Sequence, residues 1–470
     1  QYTNNSWEPK GSTITGEMAQ DETGRAVSLS ADGNTLALGE PYKNANGLVN
    51  SGQVRVVKYT NNDWEPMGLV IGESIVGDNS GYSVSLSSDG TIVAISARTN
   101  NNVNGNRSGR VRVYQYTDNS WQKLGNDIYG QATDDNSGFS VSLSSDGTIV
   151  AIGAVYNAAN GPGIQWGHVR VYDYDNTRTT PWQQMGSDID GEAAEDHSGH
   201  MISLSADGTI LAIGAPDNDA NGSQSGHVRV YQYVSGLYSG SWVKVGYDID
   251  GEYAGDNMGY SVSLSSDGSV LAIGARNHDS NGLTNNGRAY TYELIKQPIT
   301  SIVKMGSSIG GEAANDESGR SVSLSADGTI LAIGAMFNDG INGANSGHVR
   351  VYDYVKDRTP QWLQRGPDID GYAANDALGT SISLSADGKI VAIGANANDA
   401  NGVSNSGHVR VYQWNGSIWQ QIGADIDGEA IGGAAGSSVS LSADGTIVAI
   451  GSPYNNINAG HVRVYEYVNN

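Results

Sequence analysis

Residues 199–216, Gly199-His-Met-Ile-Ser-Leu-Ser-Ala-Asp-Gly-Thr-Ile-Leu-Ala-Ile-Gly-Ala-Pro216, contain the pattern on which the whole chain is built. Ten residues later the same repeat continues with Gly226-His-Val-Arg-Val-Tyr-Gln-Tyr233. The central Leu-Ser-(Ala/Ser)-Asp-Gly element recurs eight times, beginning at Leu29, Leu86, Leu143, Leu204, Leu264, Leu324, Leu384 and Leu441. A fixed period of 57 to 61 residues indicates a repeat array, so we interpret the 470 residues as a single domain.

Each repeat contains four runs that are typical of β-strands. The first, as in residues 261–265, alternates serine with apolar residues, and a Ser-Asp-Gly turn follows it. The second, residues 209–215, is almost continuously apolar, as expected of a strand buried on both faces. The third, residues 227–233, alternates valine with histidine, arginine and tyrosine, and the fourth extends from Trp182 to Asp190.

Four short antiparallel strands per repeat predict a β-propeller, whose ring leaves only short, protected edges. A stacked solenoid would need polar caps at both ends, and the sequence contains none. The chain instead opens with a lone fourth strand, Trp7 to Thr15, and finishes with a lone third strand, His461 to Tyr467. We therefore expect an all-β, eight-bladed propeller with four antiparallel strands per blade. We expect the N-terminal strand to complete the last blade and close the ring.

The predicted domain spans residues 1–470. Its blades are expected at about 22–72, 79–130, 136–191, 197–251, 257–311, 317–371, 377–428, and 434–470 together with 1–16.

Composition limits the classes of partner. The formal net charge is -24, from 50 acidic and 26 basic residues spread along the chain, so we expect no nucleic-acid partner. The absence of cysteine excludes disulfides and thiolate metal sites. No apolar run approaches the roughly 18 residues of a membrane span, so we expect no membrane insertion. A dispersed acidic surface suits a secreted protein or one that attracts cations.

The repeat resembles the FG-GAP repeat of integrin α-subunit propellers and related bacterial and algal surface proteins. The resemblance covers the whole chain and rests on Gly-x-Ser-Val-Ser-Leu, Asp-Gly, Gly214-Ala-Pro216 and Gly-x-Val-x-Val-Tyr. It implies an extracellular propeller that binds ligands on the face formed by the 2–3 loops, between strands 2 and 3, and the 4–1 loops, between strand 4 and the next strand 1.

The family's calcium loop does not carry over from this resemblance. Between strands 1 and 2 it is shortened here to Ser-x-Asp-Gly, as at Asp32, Asp146 and Asp207. One carboxylate cannot supply the roughly six to eight oxygens that calcium takes. We therefore expect these aspartates to be turn residues.

A different acidic loop, between strands 2 and 3, suggests calcium as a cofactor. Residues 217–222 place oxygen ligands at positions 1, 3 and 5 with glycine at position 6, as at the start of a calcium-binding loop. No glutamate closes the site at position 12, and Asn-Gly is a common turn dipeptide, so structural turns remain the alternative. The candidate metal ligands are Asp217, Asp219 and Asn221 in the fourth repeat and Asn277, Asp279 and Asn281 in the fifth.

The 4–1 loops add further acidic residues to the same predicted face. An aspartate recurs eight residues before the leucine, as at Asp196, and we expect it to cap its loop through an Asx-type turn. Propeller connectivity places the 2–3 and 4–1 loops on one face, which suits cation-bridged binding to glycans or proteins. The candidate ligand-face residues are Asp190, Glu192, Asp399 and Asn401.

The histidines and arginines of strand 3 repeat with the blades. We expect the histidines to form a ring with one imidazole per blade, which favours structural packing over a compact metal cluster; they are His168, His227, His348, His408 and His461. The arginine two residues later is expected to bond an acceptor in strand 4 or in a neighbouring blade. No nucleophile stands beside a base that a third group orients, so we expect no enzymatic activity.

These observations favour an extracellular or cell-surface binding or adhesion propeller. Its repeated loops would bind a glycan or protein ligand multivalently, with calcium as the candidate cofactor. The alternative is a structural subunit of a surface layer or appendage that self-associates. An enzyme is the third and least favoured hypothesis.

Overall fold

The computed structural model describes residues 6–18, 20–72, 75–158, 165–235, 240–279, 282–295, 301–356 and 361–468. These residues form eight antiparallel sheets with the same strand order, arranged as the blades of a ring. The predicted all-β, eight-bladed propeller is therefore confirmed.

Strands 1 and 2 form the inner half of each blade. Strand 1 comprises Val27–Leu29, Ser80–Leu86, Ser140–Leu143, Met201–Leu204, Met258–Leu264, Ser321–Leu324, Leu378–Leu384 and Ser438–Leu441 in blades 1 to 8. Strand 2 comprises Thr35–Glu40, Ile92–Ala97, Ile149–Ala154, Ile210–Ala215, Val270–Ala275, Ile330–Ala335, Ile390–Ala395 and Ile447–Ser452. Nearly every residue of strand 2 is buried, which explains its continuous apolar sequence.

Strand 3 lies outside strand 2 and is the longest strand of most blades. It comprises Gln53–Thr60, Arg110–Thr117, His168–Tyr174, His227–Val234, Arg288–Ile295, His348–Val355, His408–Trp414 and His461–Val468. Short helical turns occur at Ala45–Gly47, Ala400–Gly402 and Asn455–Asn458.

The outer strand 4 is divided into two segments, 4a and 4b, that both pair with strand 3. Segment 4a comprises Asp63–Pro66, Ser120–Lys123, Trp182–Gln184, Ser241–Lys244, Ser301–Lys304, Gln361–Gln364, Trp419–Gln421 and, for blade 8, Ser6–Pro9. Segment 4b comprises Ile71–Gly72, Ile128–Tyr129, Ile189–Asp190, Ile249–Asp250, Ile309–Gly310, Ile369–Asp370, Ile426–Asp427 and, for blade 8, Ile14–Thr15. In blade 3, Gly186 lies between them with a φ of 73°, which favours glycine.

The ring closes in two places. Segment 4a of blade 8 pairs antiparallel with strand 3 of that blade, with Ser6 opposite Val468 and Trp7 opposite Tyr467. The prediction that the N-terminal strand completes the last blade is therefore confirmed.

The second closure is formed by the turns between the inner strands 1 and 2, which make a closed circle of eight backbone hydrogen bonds. They run from Ala31 N to Ser88 O and on through Ser145, Ala206, Ser266, Ala326, Ala386 and Ala443 back to Ala31 O.

The core lies between neighbouring blades. Between blades 3 and 4, for example, Val171, Ile202, Ile213 and Tyr231 belong to one buried cluster. A Cβ at Gly214 would lie 2.1 Å from the carbonyl oxygen of Gly259 in the next blade. The glycine of Ile-Gly-Ala therefore allows close contact between blades. Among the described residues, no helix is long and apolar enough to cross a membrane.

Candidate ligand-binding face

The 2–3 and 4–1 loops meet on one face of the ring, which we call the loop face. In blade 4, Gly226 forms a parallel bridge with Met258, and Met258 N donates to Ser225 O at 3.0 Å. The side chain of Asn221 also donates to Gly251 O at 2.8 Å. Each 2–3 loop is thus hydrogen-bonded to the 4–1 loop that leaves the same blade, and equivalent bridges occur around the ring.

The recurring aspartate of the 4–1 loop is a buried loop cap, as predicted. Asp196 Oδ2 accepts hydrogen bonds from the backbone N–H groups of Glu192, at 3.0 Å, and Ala193, at 2.8 Å. Its counterpart Asp256 also contacts His278 Nδ1 at 2.8 Å, in the 2–3 loop of the next blade. The cap therefore fixes its own loop and ties it to the adjoining blade.

The three candidate calcium ligands of the fourth repeat bond to three different places. Asp217 Oδ2 lies 2.7 Å from His197 Nδ1, and Asp219 Oδ1 accepts from Gln224 N at 2.7 Å. Asn221 uses its side-chain N–H on Gly251 O. These contacts hold the loop as the structural-turn alternative requires, and Asp217 Oδ1 accepts a further, longer hydrogen bond from Asn257 Nδ2 at 3.5 Å. The calcium site stays a prediction.

Asp279, one of the candidates of the fifth repeat, lines a cleft between blades 4 and 5. Asn277 donates from its side chain to Asn257 Oδ1 at 2.7 Å, and Asp279 Oδ1 accepts from Asn285 N at 2.6 Å. Asn281 lies outside the described residues. Asp279 lines the cleft, which has a volume of about 510 Å³ and also contains the exposed ring of Tyr253 and the guanidinium of Arg288.

The four ligand-face candidates lie in different settings. Glu192 is exposed, with Oε1 3.6 Å from Arg229 and 3.9 Å from Lys244. Asp190 is half-buried near His168. Asp399 Oδ1 accepts from Asn405 N at 2.7 Å, and Asn401 lies in the short helical turn Ala400–Gly402. The structure does not bring these four residues together, since Asp190 and Glu192 belong to blade 3 and its 4–1 loop, whereas Asp399 and Asn401 lie in the 2–3 loop of blade 7.

The arginines of strand 3 bond across the blade boundary, as the sequence predicted. The acceptor is a backbone carbonyl of segment 4b in the preceding blade: Arg229 donates to Asp190 O at 2.6 Å and Arg170 to Tyr129 O at 2.7 Å. Blade 7 departs from this pattern, because Arg410 donates twice to Asp425 of its own blade, at 3.0 and 2.9 Å.

An arc of aromatic and cationic side chains lies at the inner rim of the loop face. Each comes from the position after the glycine at the start of strand 1, and the ring brings successive blades together. Tyr82 and Phe139 have ring centroids 5.7 Å apart, and His200 lies 5.3 Å from both Phe139 and Tyr260. Blades 7 and 8 place Thr380 and Ser437 at this position, so the arc breaks the eightfold repeat.

Four arginines extend this inner-rim arc. Arg98 lies 3.9 Å above the ring of Tyr82, and Arg276 lies 3.9 Å above the ring of Tyr260. Among the described residues, neither guanidinium has a carboxylate partner. The other two are paired, Arg25 with Glu22 at 3.0 Å and Arg320 with Glu317 at 2.7 Å.

The inner-rim arc was not predicted from the sequence, because the prediction used only the residues that recur at the same position in each repeat. The signal was the position after the strand 1 glycine, which varies where its neighbours do not. Burial lowers the pKa of His200, so its ring is neutral and joins the arc as an aromatic group.

The eight four-stranded sheets define the molecule as an eight-bladed β-propeller with its variable loops on one face. Within this propeller, the family model of the FG-GAP repeat matches residues 249–292 and 310–352. Domains built of these repeats are typically extracellular and generally bind ligands. No curated protein matches the chain.

Proposed function

We propose that the protein is an extracellular or cell-surface binding and adhesion propeller that holds an acidic glycan on its loop face. The inner-rim arc supports this proposal. Sugar rings stack on aromatic side chains, and a guanidinium binds carboxylate or sulfate groups through paired hydrogen bonds. Arg98 and Arg276 supply this cationic chemistry within a chain whose formal net charge is -24.

The acidic surroundings contribute selectivity. Anions are repelled by most of the surface, so an acidic glycan binds only where arginines outnumber nearby carboxylates. The outer loops add exposed apolar side chains, Val103 and Ile341, that suit contact with a larger partner. We propose no chemical reaction for this face, because its role is to bind.

The test is binding of a polyuronate, compared with a neutral dextran, by calorimetry. We expect the polyuronate to bind and the double variant Arg98→Gln/Arg276→Gln to weaken binding by about tenfold or more, since charged hydrogen bonds are lost. Arg107→Gln is the matched control, because Arg107 is an exposed arginine of the loop face outside the inner-rim arc. Equal affinity for both polymers, or equal affinity of both variants, contradicts the proposal.

Calcium dependence is tested separately. If the outer loops of blades 4 and 5 hold Ca²⁺, calcium raises the melting temperature of the EDTA-treated protein, and Asp217→Ala/Asp219→Ala reduces that rise. An unchanged melting temperature limits these loops to a structural role. Light scattering in the same samples tests the self-assembling alternative, which requires association that grows with protein concentration.

A further inference from the structure

Four blades place a histidine at the start of strand 3 opposite an Asp-Ile-Asp sequence that ends in segment 4b. In blade 3 the backbone register sets His168 opposite Asp190. The same register occurs in blades 4, 6 and 7 for the pairs His227 and Asp250, His348 and Asp370, and His408 and Asp427. Each histidine thus faces carboxylates of its own blade. This pairing was not predicted, because the sequence pattern was interpreted only as a ring of histidines.

In blade 3 both carboxylates lie close to the imidazole. His168 is fully buried, with Nδ1 3.9 Å from Asp188 Oδ2 and 3.8 Å from Asp190 Oδ1. Among the described residues, neither ring nitrogen nor Asp190 Oδ1 has a hydrogen-bond partner. These separations are too long for hydrogen bonds. Two ligands of a tetrahedral metal with bonds of about 2.1 Å lie roughly 3.4 Å apart, so a small closure would fit a metal ion.

Neighbouring blades fill the equivalent space with a cationic side chain. In blade 2, Arg110 stands where His168 stands in blade 3, and Arg112 and Lys123 contact Asp127 at 2.9 and 2.8 Å. In blade 4, Lys244 contacts Asp248 at 2.8 Å.

In blades 6 and 7 the strand 3 arginine contacts a carboxylate of the group around the histidine. In blade 6, Arg350 lies 3.4 Å from Glu312, which forms a triad with His348 and Asp368. In blade 7, Arg410 contacts Asp425 at 2.9 Å. A lysine or arginine thus contacts a carboxylate of the Asp-Ile-Asp segment or its equivalent in blades 2, 4 and 7. In blade 6 the arginine contacts Glu312 instead, and Gln364 donates to Asp368.

Blade 3 differs from blades 2, 4 and 7 in lacking this ion pair among the described residues. It differs from blade 6 in that both carboxylates of its Asp-Ile-Asp sequence lie close to the imidazole. Gln184 occupies the position of Lys244, and the amides of Gln184 and Gln131 donate to Asp188, each at 2.7 Å. No lysine or arginine of the described residues forms an ion pair with Asp188 or Asp190. The two neutral amides orient Asp188, as partners of metal ligands commonly do.

We propose that blade 3 binds a divalent transition metal, Zn²⁺, through His168 and the carboxylates of Asp188 and Asp190. One imidazole nitrogen and two carboxylate oxygens are a ligand set that suits zinc, and they leave a fourth position open. The side chains of Asp188 and Asp190 are 27% and 44% exposed, so the metal reaches the site from solvent.

The experiment titrates Zn²⁺ alone into EDTA-treated protein by calorimetry. We expect one tight zinc ion per chain, and we expect Asp188→Asn/Asp190→Asn to weaken this binding by about tenfold or more. Asp248→Asn/Asp250→Asn in blade 4 is the matched control, and we expect it to leave the tight zinc ion unchanged.

A second variant, Gln184→Lys, places in blade 3 the ammonium that Lys244 provides in blade 4. We expect it to prevent zinc binding while keeping the melting temperature of the metal-free protein at or above the wild-type value. The proposal is overturned if the wild-type protein binds no tight zinc, if Asp188→Asn/Asp190→Asn binds it equally well, or if Gln184→Lys leaves zinc binding intact.

Discussion

The face formed by the turns between strands 1 and 2, the turn face, differs from the loop face in how it uses its side chains. On the turn face the same contacts recur in each blade: Asp146 Oδ1 accepts hydrogen bonds from Ser144 Oγ at 2.6 Å and from Thr148 N at 3.0 Å. On the loop face, the position after the strand 1 glycine holds Tyr82 in blade 2, Phe139 in blade 3 and Thr380 in blade 7. One face thus preserves the ring, whereas the other varies from blade to blade.

This difference teaches where function lies in a repeat protein. The circle of backbone hydrogen bonds on the turn face needs every blade to contribute the same turn. On the loop face a backbone bridge also joins each 2–3 loop to the following 4–1 loop, but the side chains at the inner rim differ from blade to blade. Sites that break the repeat, such as the inner-rim arc and the histidine pocket of blade 3, are therefore expected on the loop-face side.

The largest effect on stability is expected from opening the ring, because both faces depend on the closed ring. Deleting residues 1–16 leaves the outer edge of strand 3 in blade 8 unpaired and exposes Val462 and Val464. We expect a loss of roughly 5 kcal/mol or more in the free energy of unfolding, most of the stability of an ordinary domain. Urea denaturation followed by circular dichroism measures it.

A synthetic peptide of residues 6–16 is the control for this deletion. It should restore part of the lost stability by adding back the strand. A truncated chain that unfolds at the wild-type urea concentration would show that the pairing of Ser6–Pro9 with His461–Val468 adds nothing to the ring.

Lowering the pH should destabilise the loop face before it destabilises the turn face. Burial, aided by the charge of a neighbouring arginine, lowers the pKa to about 3 for His168, His227, His348 and His408, and to about 4 for His461. The unfolded histidines have pKa values of about 6.5, so below that pH the unfolded chain binds protons that the native chain does not. The stability is full above pH 6.5 and falls as the pH approaches 3, by up to about 2 kcal/mol per histidine at pH 5.

The turn face should respond at lower pH. Although burial opposes it, hydrogen bonds from Ser144 and Thr148 hold the pKa of Asp146 below its usual value. Its contribution is therefore present above the unfolded pKa of about 3.9 and is lost only below it. Hydrogen exchange at pH 5, corrected for intrinsic rates, should show strand 3 loosening at its loop-face end first. Uniform protection at pH 7 and pH 5 would contradict this order.

The smallest expected effect is the loss of unfolding free energy when one aspartate is removed from each face. Asp196→Ala removes a fully buried carboxylate that accepts two backbone N–H groups, and we expect a cost of roughly 2 to 3 kcal/mol. Asp146→Ala removes a partly exposed turn cap, and we expect about 1 kcal/mol. Urea denaturation of the two variants makes the comparison, and equal costs would mean that burial of the loop cap has no energetic consequence.

The sequence predicted the fold well because periodicity is a property of the chain itself. The leucine of each Leu-Ser-x-Asp-Gly element marks one blade, and the lone strands beginning at Trp7 and His461 indicated the closure. The division of strand 4 was not predicted, because Gly186 lies inside a run that otherwise reads as one strand.

The candidate site was less predictable, since its residues are distant in the chain. Phe139 and His200 are separated by a whole repeat, and only the packing of neighbouring blades makes them stack. His168 and Asp190 meet through the register of two antiparallel strands. A pattern within one repeat indicates a strand or a turn, but contacts between strands require the assembled sheet.

The antiparallel pairing of Ser6–Pro9 with His461–Val468 has a mechanical consequence. Ser6 lies opposite Val468, so both chain ends leave the blade at the same end of the paired strands. Tension applied through the two ends would peel the hydrogen bonds apart one after another, as in a zipper, instead of shearing them together. Tension that enters through the loop face would meet complete sheets, so the same ring resists pulling in one direction and yields in the other.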